Sequence, residues 1–343
     1  MQSTLAARLT AQLLAGPPAR DPEGVAERLL AVQGQDPRGA RLAVRARSKG
    51  LSTADVDRAL TEDRSLLITW LNRGTLHLVR SEDYPWLQAV TTPPLHAGSV
   101  RRLQQEGVPP DDAERGIAVI ERSIASDGPL DAEQLRARVK IAGIRAEGQA
   151  LYHLLFQASL RGLIVRGPMV EKKHAYVLVR DWIGDPKPVD RDRALAELAR
   201  RYLAGHGPAA DRDLARWAGI PLGQARSGLS AISSELTELT ELGDGLVDLK
   251  KRAAAAELPP PRLLGSYDPV LLGWISREEI LGKHQYLVTV NGLFRPFAMV
   301  EGRAVGTWSM SKGEVVLERL ARIANADRTA LDREAADVER FLR

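Results

Sequence analysis

Gly128-Pro129-Leu130-Asp131-Ala132-Glu133-Gln134-Leu135 and Gly207-Pro208-Ala209-Ala210-Asp211-Arg212-Asp213-Leu214 each open on Gly-Pro and reach a leucine seven places later. Each follows a helical stretch, Glu114–Ser126 in the first case and Arg193–Gly205 in the second. Each precedes a short helix, a turn and a second amphipathic helix. Leu151, Leu154, Leu155 and Ala158 mark one face of that helix in the first copy; Leu222, Ala225, Leu229, Ile232 and Leu236 mark it in the second. A Gly-bounded hairpin pattern closes both, Gly162–Val165 with Ala175–Val179, and a compact one around Gly243-Asp244-Gly245 ending at Leu249. Three helices followed by a β-hairpin wing predict a winged helix. A period of roughly 80 residues makes the repeat a tandem of small domains and not a solenoid.

Working outward, the N-terminal hundred or so residues read as a third, more divergent copy. Helices are expected at Pro22–Val32, Pro37–Ser48 and Ala54–Thr61, then strands near Leu66–Trp70 and Thr75–Val79 turned by Asn72-Arg73-Gly74. Leu258-Pro259-Pro260-Pro261 marks a boundary. Beyond it, strands are expected at Gln285–Val290, Pro296–Glu301, Ala304–Met310 and Glu314–Leu317, punctuated by Asn291-Gly292, Glu301-Gly302-Arg303 and Lys312-Gly313. Asp327–Leu342 closes the chain as a charged amphipathic helix. The expected organisation is α+β: winged helices at 1–105, 106–188 and 189–257, then an antiparallel β-rich module at 258–343.

Composition bounds the chemistry. The chain has 343 residues, no cysteine, and 48 basic against 44 acidic residues. Missing cysteine removes disulfides, thiol nucleophiles, iron–sulfur clusters and thiolate zinc sites. The six histidines are scattered with no i, i+4 pair, so no His-based metal site is expected. No long apolar run and no leader-like N-terminus occur, so no membrane association is expected and the cytoplasm is the expected compartment. Arginine supplies 39 of the 48 basic residues, and its fork suits phosphate better than a lysine does.

A winged-helix regulator reads base edges from the third helix of each module. Here those helices are sparsely basic: Gln149, His153, Gln157 and Arg161 in the middle module, and Gln224, Arg226, Ser227 and Ser230 in the next. Duplex affinity comes mostly from neutralised phosphates, so these helices are poor anchors and read as scaffold. Positive charge gathers elsewhere. Arg38, Arg41 and Arg45 share a helical face, with Arg47 and Lys49 just beyond, and the middle wing carries Arg166, Lys172, Lys173 and His174. Both groups are phosphate-contact candidates.

Asp21-Pro22 and Asp36-Pro37 each look like a helix start, with Asp as cap and Pro at the first helical position. Val32-Gln33-Gly34-Gln35 therefore lies at a corner between two helices. Gly34 tolerates backbone angles that other residues resist, and the second helix points free N–H groups at the same spot. Two neutral amides beside an anion site follow from this pattern, which by itself names no reaction.

Several stretches together resemble the AlkZ-like DNA glycosylases, a bacterial winged-helix family that also includes the YcaQ-type crosslink-repair enzymes. They are Leu29–Arg38 through Leu42–Arg47, Arg73-Gly74-Thr75-Leu76-His77-Leu78-Val79, Leu264-Gly265-Ser266-Tyr267-Asp268 and Gly302-Arg303-Ala304-Val305-Gly306-Thr307-Trp308. The likeness runs in order through nearly the whole chain. It implies tandem winged helices in a C-shaped molecule, a monomer that removes N7-alkylated purines from double-stranded DNA. The family signature is Gln–aliphatic–Gln in one branch and Gln–aliphatic–Asp in the other. Gln33 and Gln35 match the first and are the expected catalytic pair; Gly34 departs from the aliphatic middle.

An N7-alkylpurine carries a positive charge and leaves readily, so the enzyme has to position water and stabilise an oxocarbenium-like sugar. Lys49 is the lysine nearest the motif, which disfavours Schiff-base lyase chemistry and predicts a monofunctional enzyme. The Asn291-Gly292-Leu293-Phe294-Arg295 tip, with Phe294 and Arg295, is the wedge candidate. His77 has two readings, a phosphate contact or packing, and so does Asp268, an electrostatic role or a turn cap. Two alternatives stand beside a glycosylase: a non-catalytic winged-helix regulator, and a lapsed relative whose Gly34 spoils the corner.

Overall fold

Aspartate caps and the prolines after them set the helix starts. Asp21 accepts from the Gly24 N–H at 2.7 Å and Asp36 from the Arg38 N–H at 3.0 Å, opening helices Pro22–Leu29 and Pro37–Arg47. These come from a computed structural model, which describes residues 4–170, 173–241, 243, 245–252 and 254–343. The chain is mixed α and β with antiparallel sheets. It divides into two compact units, one formed by the residues up to Val56 together with Leu195–Arg343, the other by Asp57–Ala194. Among the described residues no helix is long and apolar enough to cross a membrane.

The Gly-Pro repeat is followed by the same backbone bridge in both units. Leu130, two residues after Gly128, exchanges both backbone hydrogen bonds with Tyr176 (3.2 and 2.8 Å). Ala209 does the same with Val247 (3.1 and 3.0 Å). Each Gly-Pro ends one helix and lays the next residue on the hairpin as a one-residue third strand. The following helix is then capped, though by different chemistry. Asp131 accepts from the Glu133 and Gln134 N–H groups while Gln134 accepts from the Asp131 N–H, a capping box. In the second copy the Asp213 carboxylate accepts from the Ala210 N–H at 3.1 Å.

Within Asp57–Ala194, Leu66–Leu71 pairs antiparallel with Thr75–Arg80, and Ile164–Val170 with Lys173–Leu178. The two hairpins join through Ile68 opposite Arg166. Leu66–Leu71 is buried throughout, which explains why Thr69 is its one polar residue. Trp70 packs edge-on against Tyr152 and Phe156 at 5.5 and 5.7 Å, and stacks on Tyr176 at 6.4 Å. Arg166, expected near a basic wing tip, instead lies over the Trp70 and Tyr176 rings and donates to the Tyr176 hydroxyl. Helices Pro110–Asp127, Ala132–Ile141 and Ala150–Leu160 complete this unit's middle group; the last buries even Gln157 and Ser159.

In the other unit, helices Asp211–Ala218 and Leu222–Ala231 follow Arg191–His206, and the hairpin Leu236–Glu238 with Val247–Leu249 closes the group. Asp244 of the expected turn lies outside the described residues. A four-stranded antiparallel sheet follows, in the order Glu314–Arg319, Arg303–Ser311, Phe297–Val300, Arg262–Leu264. One expectation fails here and one strand is unanticipated. Gln285–Leu287 is a 3₁₀ turn and not a strand, and Arg262–Leu264 is a strand that three residues after a proline run do not announce. The closing helix spans Asn325–Leu342.

His206 lies fully buried in this unit, stacked on Tyr202 at 4.9 Å and close to Trp217 and Trp274. Its Nδ1 meets the Tyr202 carbonyl oxygen at 3.1 Å. Burial pushes its pKa down to about 3, against the pull of that hydrogen bond. His77 in the other unit is also buried and lowered to about 3, by burial first and then by the Arg73 charge. Each unfolded histidine binds a proton below its ordinary pKa near 6.5 while the folded one does not. Stability is therefore complete above that pH and falls towards pH 3, by about 1.4 kcal/mol per pH unit for each group. Melting temperatures should drop between pH 6.5 and 4, and His206→Asn should flatten that slope.

Candidate active site at the Gln33-Gly34-Gln35 corner

Helix Pro22–Leu29 ends against a tight backbone contact: a Cβ on Gly205 would stand 2.2 Å from the Arg28 carbonyl oxygen. The chain then turns at Leu30, buried at φ 64°, with the Ala31 N–H reaching the Leu29 carbonyl at 2.8 Å. The left-handed residue before the motif is thus Leu30; Gly34, expected to carry the corner, is not among the described residues at positive φ. Val32 and Gln33 run extended, and Gln33 is 6% exposed. Gly34 is buried and Gln35 exposed. The first glutamine is a buried residue and the second an exposed one, two positions apart.

Asp36 follows as the cap of Pro37–Arg47. Of that helix's basic face only Arg38 is exposed. The Arg41 guanidinium donates to the Pro37 carbonyl at 2.9 Å and is largely buried. Arg45, expected on an open face, is buried and binds Glu334 at 2.8 Å, Asp337 at 3.1 Å and the Leu263 carbonyl at 2.8 Å. Its charge is spent internally, so it is no phosphate anchor. Arg47 goes further. Its five N–H groups meet both Asp268 oxygens (2.9 and 2.7 Å), the Gln12 backbone and side-chain oxygens (2.8 and 2.9 Å) and the Ala43 carbonyl (3.1 Å). Asp268 also accepts from the Val270 N–H at 3.0 Å, so it caps a turn, and its charge is matched inside the protein by Arg47.

The segment Leu264–Asp268 is pressed onto the same helix. A Cβ on Gly39 would lie 2.3 Å from the Ser266 carbonyl oxygen, and one on Gly265 would lie 2.9 Å from Leu42 Cβ. Tyr267 adopts φ 57° and packs against Phe294 with ring centres 5.4 Å apart and the rings tilted by 38°. Tyr267 stands in one of the family-like stretches but carries no sequence signal for this angle, at which glycine is the residue expected. Phe294 is not a free wedge: it is buried, bridges to Val288, and has the Arg277 guanidinium 5.2 Å from its ring centre. The apolar tip of that hairpin is instead Val290, 105% exposed, and Leu293, 56% exposed; Arg295 is exposed beside them.

The remaining candidates lie in the Asp57–Ala194 unit. His77 Nδ1 meets the Thr75 carbonyl at 2.9 Å, and the ring is neutral at physiological pH because of its lowered pKa, so it carries no charge to a phosphate. Lys173 is exposed but paired with Glu133 at 2.7 Å and Asp131 at 3.6 Å; Lys172 lies outside the described residues. The lone arginine of each third helix is also paired, Arg161 with Glu114 and Arg226 with Asp211.

Asp268→Asn should strand the buried Arg47 charge and lower unfolding free energy in urea by about 3–5 kcal/mol. Arg38→Gln, on the exposed first turn, should change it by about 0.5 kcal/mol or less.

The family model described as DNA glycosylase AlkZ-like matches residues 26–341. The chain is 27% identical over 339 residues to an interstrand DNA cross-link repair glycosylase of Streptomyces sahachiroi, spanning 92% of this chain and 89% of that protein. Its structure is similar to that of the Streptomyces sahachiroi DNA glycosylase AlkZ, with a TM-score of 0.80 and 25% identity over 99% of this chain and 97% of that one.

Proposed function

Because the chain belongs to the AlkZ-like DNA glycosylase family, we propose that it hydrolyses the N-glycosidic bond of N7-alkylated purines in double-stranded DNA, bulky adducts and interstrand crosslinks included. The relative described as a crosslink-repair glycosylase supports the wider lesion range. The observation that carries the reading is the pair of amides, Gln33 buried and Gln35 exposed, set immediately before an Asp-capped helix. In this reading the helix–helix–helix–hairpin groups are winged helices, divided as 1–105, 106–188 and 189–257 ahead of the β-rich 258–343, and the enzyme acts as a monomer.

The positive purine departs as a neutral base, so no strong general acid is needed. The amide oxygens of Gln33 and Gln35 orient the attacking water and face the cationic sugar as it develops. Water adds to C1′, the C1′–N9 bond breaks, and the electron pair neutralises the alkylpurine ring. The proton of the water passes to solvent. An abasic site remains, and with no lysine at the motif the reaction ends there. Arg38 and Arg295 hold backbone phosphates, and the Val290–Leu293 tip presses into the duplex beside the lesion.

Incubation with a duplex carrying N7-methylguanine should yield abasic sites. The Gln33→Ala, Gln35→Ala double variant should lose at least about a hundredfold in single-turnover rate, the scale of an electrostatic stabiliser, at an unchanged melting temperature. Full release by that variant would remove the assignment. Arg38→Gln and Arg295→Gln should each lower the slope of log binding constant against log salt by about one, equally on damaged and undamaged duplex.

A further inference from the structure

The geometry points to an aromatic stacking subsite beside the Gln33-Gly34-Gln35 corner, in which the Tyr267 ring takes a planar, cationic aromatic group of the damaged DNA. The inference rests on reading that corner as the place of base release. It assigns a residue that neither the motif nor the buried ion pairs account for.

Seven non-glycine residues have positive φ among those described, and Tyr267 is the aromatic one. A left-handed backbone is rare for a bulky residue and persists only where its surroundings impose it. For Leu30 the reason is burial, since it is fully enclosed. Glu301 and Lys312 sit beside glycines in hairpin turns. Tyr267 has neither explanation. Its ring is only partly covered, and among the described residues its hydroxyl has no hydrogen-bond partner.

What imposes the angle is a clamp on both sides. Ser266 is lodged against Gly39, where no side chain would fit, and Asp268 is fixed by Arg47 and by the Val270 N–H. Between those fixed points the backbone presents one ring. Phe294 backs it at 5.4 Å, and Arg277 lies over Phe294. Asp36, the residue after Gln35, is close enough to act on the phenol: burial and then that carboxylate raise the Tyr267 pKa, so the ring stays protonated.

An electron-rich face beside a carboxylate favours a flat cation. An N7-alkylated purine is one; the aromatic part of a bulky adduct is a second source of a planar group. The charge of the purine disappears as the bond breaks, so a contact made to that charge favours the bound substrate over the transition state. Removing the ring should therefore weaken binding more than it slows the bound complex.

Glycine and asparagine both accept a left-handed backbone, so Tyr267→Gly and Tyr267→Asn remove the ring while leaving the loop able to keep its path. Melting temperature should hold or rise in the full-length variants. Fluorescence anisotropy with N7-methylguanine duplex should show binding weakened about tenfold, the scale of one lost stack, with the loss in Kd and not in the saturated single-turnover rate. Tyr267→Phe should restore tight binding. A loss on N7-methylguanine duplex identifies the purine as the stacked group, and a loss confined to a duplex with an aromatic N7 adduct identifies the adduct. Wild-type affinity of both ring-less variants for both duplexes would overturn the proposal. Failure of the Gln assignment reads out separately, as base release that survives the Gln33→Ala, Gln35→Ala change while the Tyr267 effect on binding persists.

Discussion

The bidentate pair between Arg47 and Asp268 fixes the unit that carries the candidate site. Both side chains are fully buried, and burying two charges has a large desolvation cost that their attraction offsets only when every polar atom is matched. Here the matching is complete: all five guanidinium N–H groups have acceptors, and the carboxylate receives two of them plus a backbone N–H. The partners are 35 and 221 residues from Arg47 in the chain. The N-terminal helices and the C-terminal module therefore fold as one object, although the sequence between them folds largely into other groups.

Arg45 strengthens the same joint through Glu334, Asp337 and the Leu263 carbonyl. The end of Pro37–Arg47 away from the glutamines is held by buried charge, and the end beside them by the Asp36 cap and the Gly39–Ser266 contact. A helix anchored at both ends is a rigid base for Gln35 and Tyr267. Preorganisation of this kind lets neutral amides contribute to a reaction, because they need not reorient as charge develops.

Local chemistry was legible in the sequence wherever the signal and its cause lie within a few residues. Asp-Pro marked both N-terminal helices, and Gly-Pro marked the repeated junction. Asn72-Arg73-Gly74 marked the first hairpin, and Gln33 and Gln35 stood out as an unusual pair at a corner. What escaped depended on distant partners. Arg38, Arg41 and Arg45 read as a solvated basic face because charge on a helix is usually exposed, and the acids that bury Arg45 lie 289 and 292 residues away. Phe294 read as a hairpin tip, but the bridge from Val288 to Phe294 turns its ring towards Tyr267 and leaves Val290 and Leu293 outside. No residue-type signal marks a left-handed tyrosine, since its neighbours Ser266 and Asp268 are fixed by Gly39 and Arg47, more than 200 positions earlier in the chain.

These corrections redistribute the charge that any DNA contact must use. Arg45 and Arg47 are neutralised inside the protein, Arg166 lies over two aromatic rings, and Arg161, Arg226 and Lys173 face carboxylates. A net charge of +4 then overstates nothing about affinity, but it says little about where the duplex would sit. With Arg38 and Arg295 as the main exposed cations of the proposed site, non-specific duplex binding should be modest and its salt dependence shallow. Discrimination would then rest on what only damaged DNA supplies: a positively charged, flat purine that leaves easily and that an aromatic face and a carboxylate both attract. Weak grip on ordinary duplex and strong response to that cation would then be two consequences of one arrangement, in which buried arginines hold the proposed site together and its neutral side chains would do the chemistry.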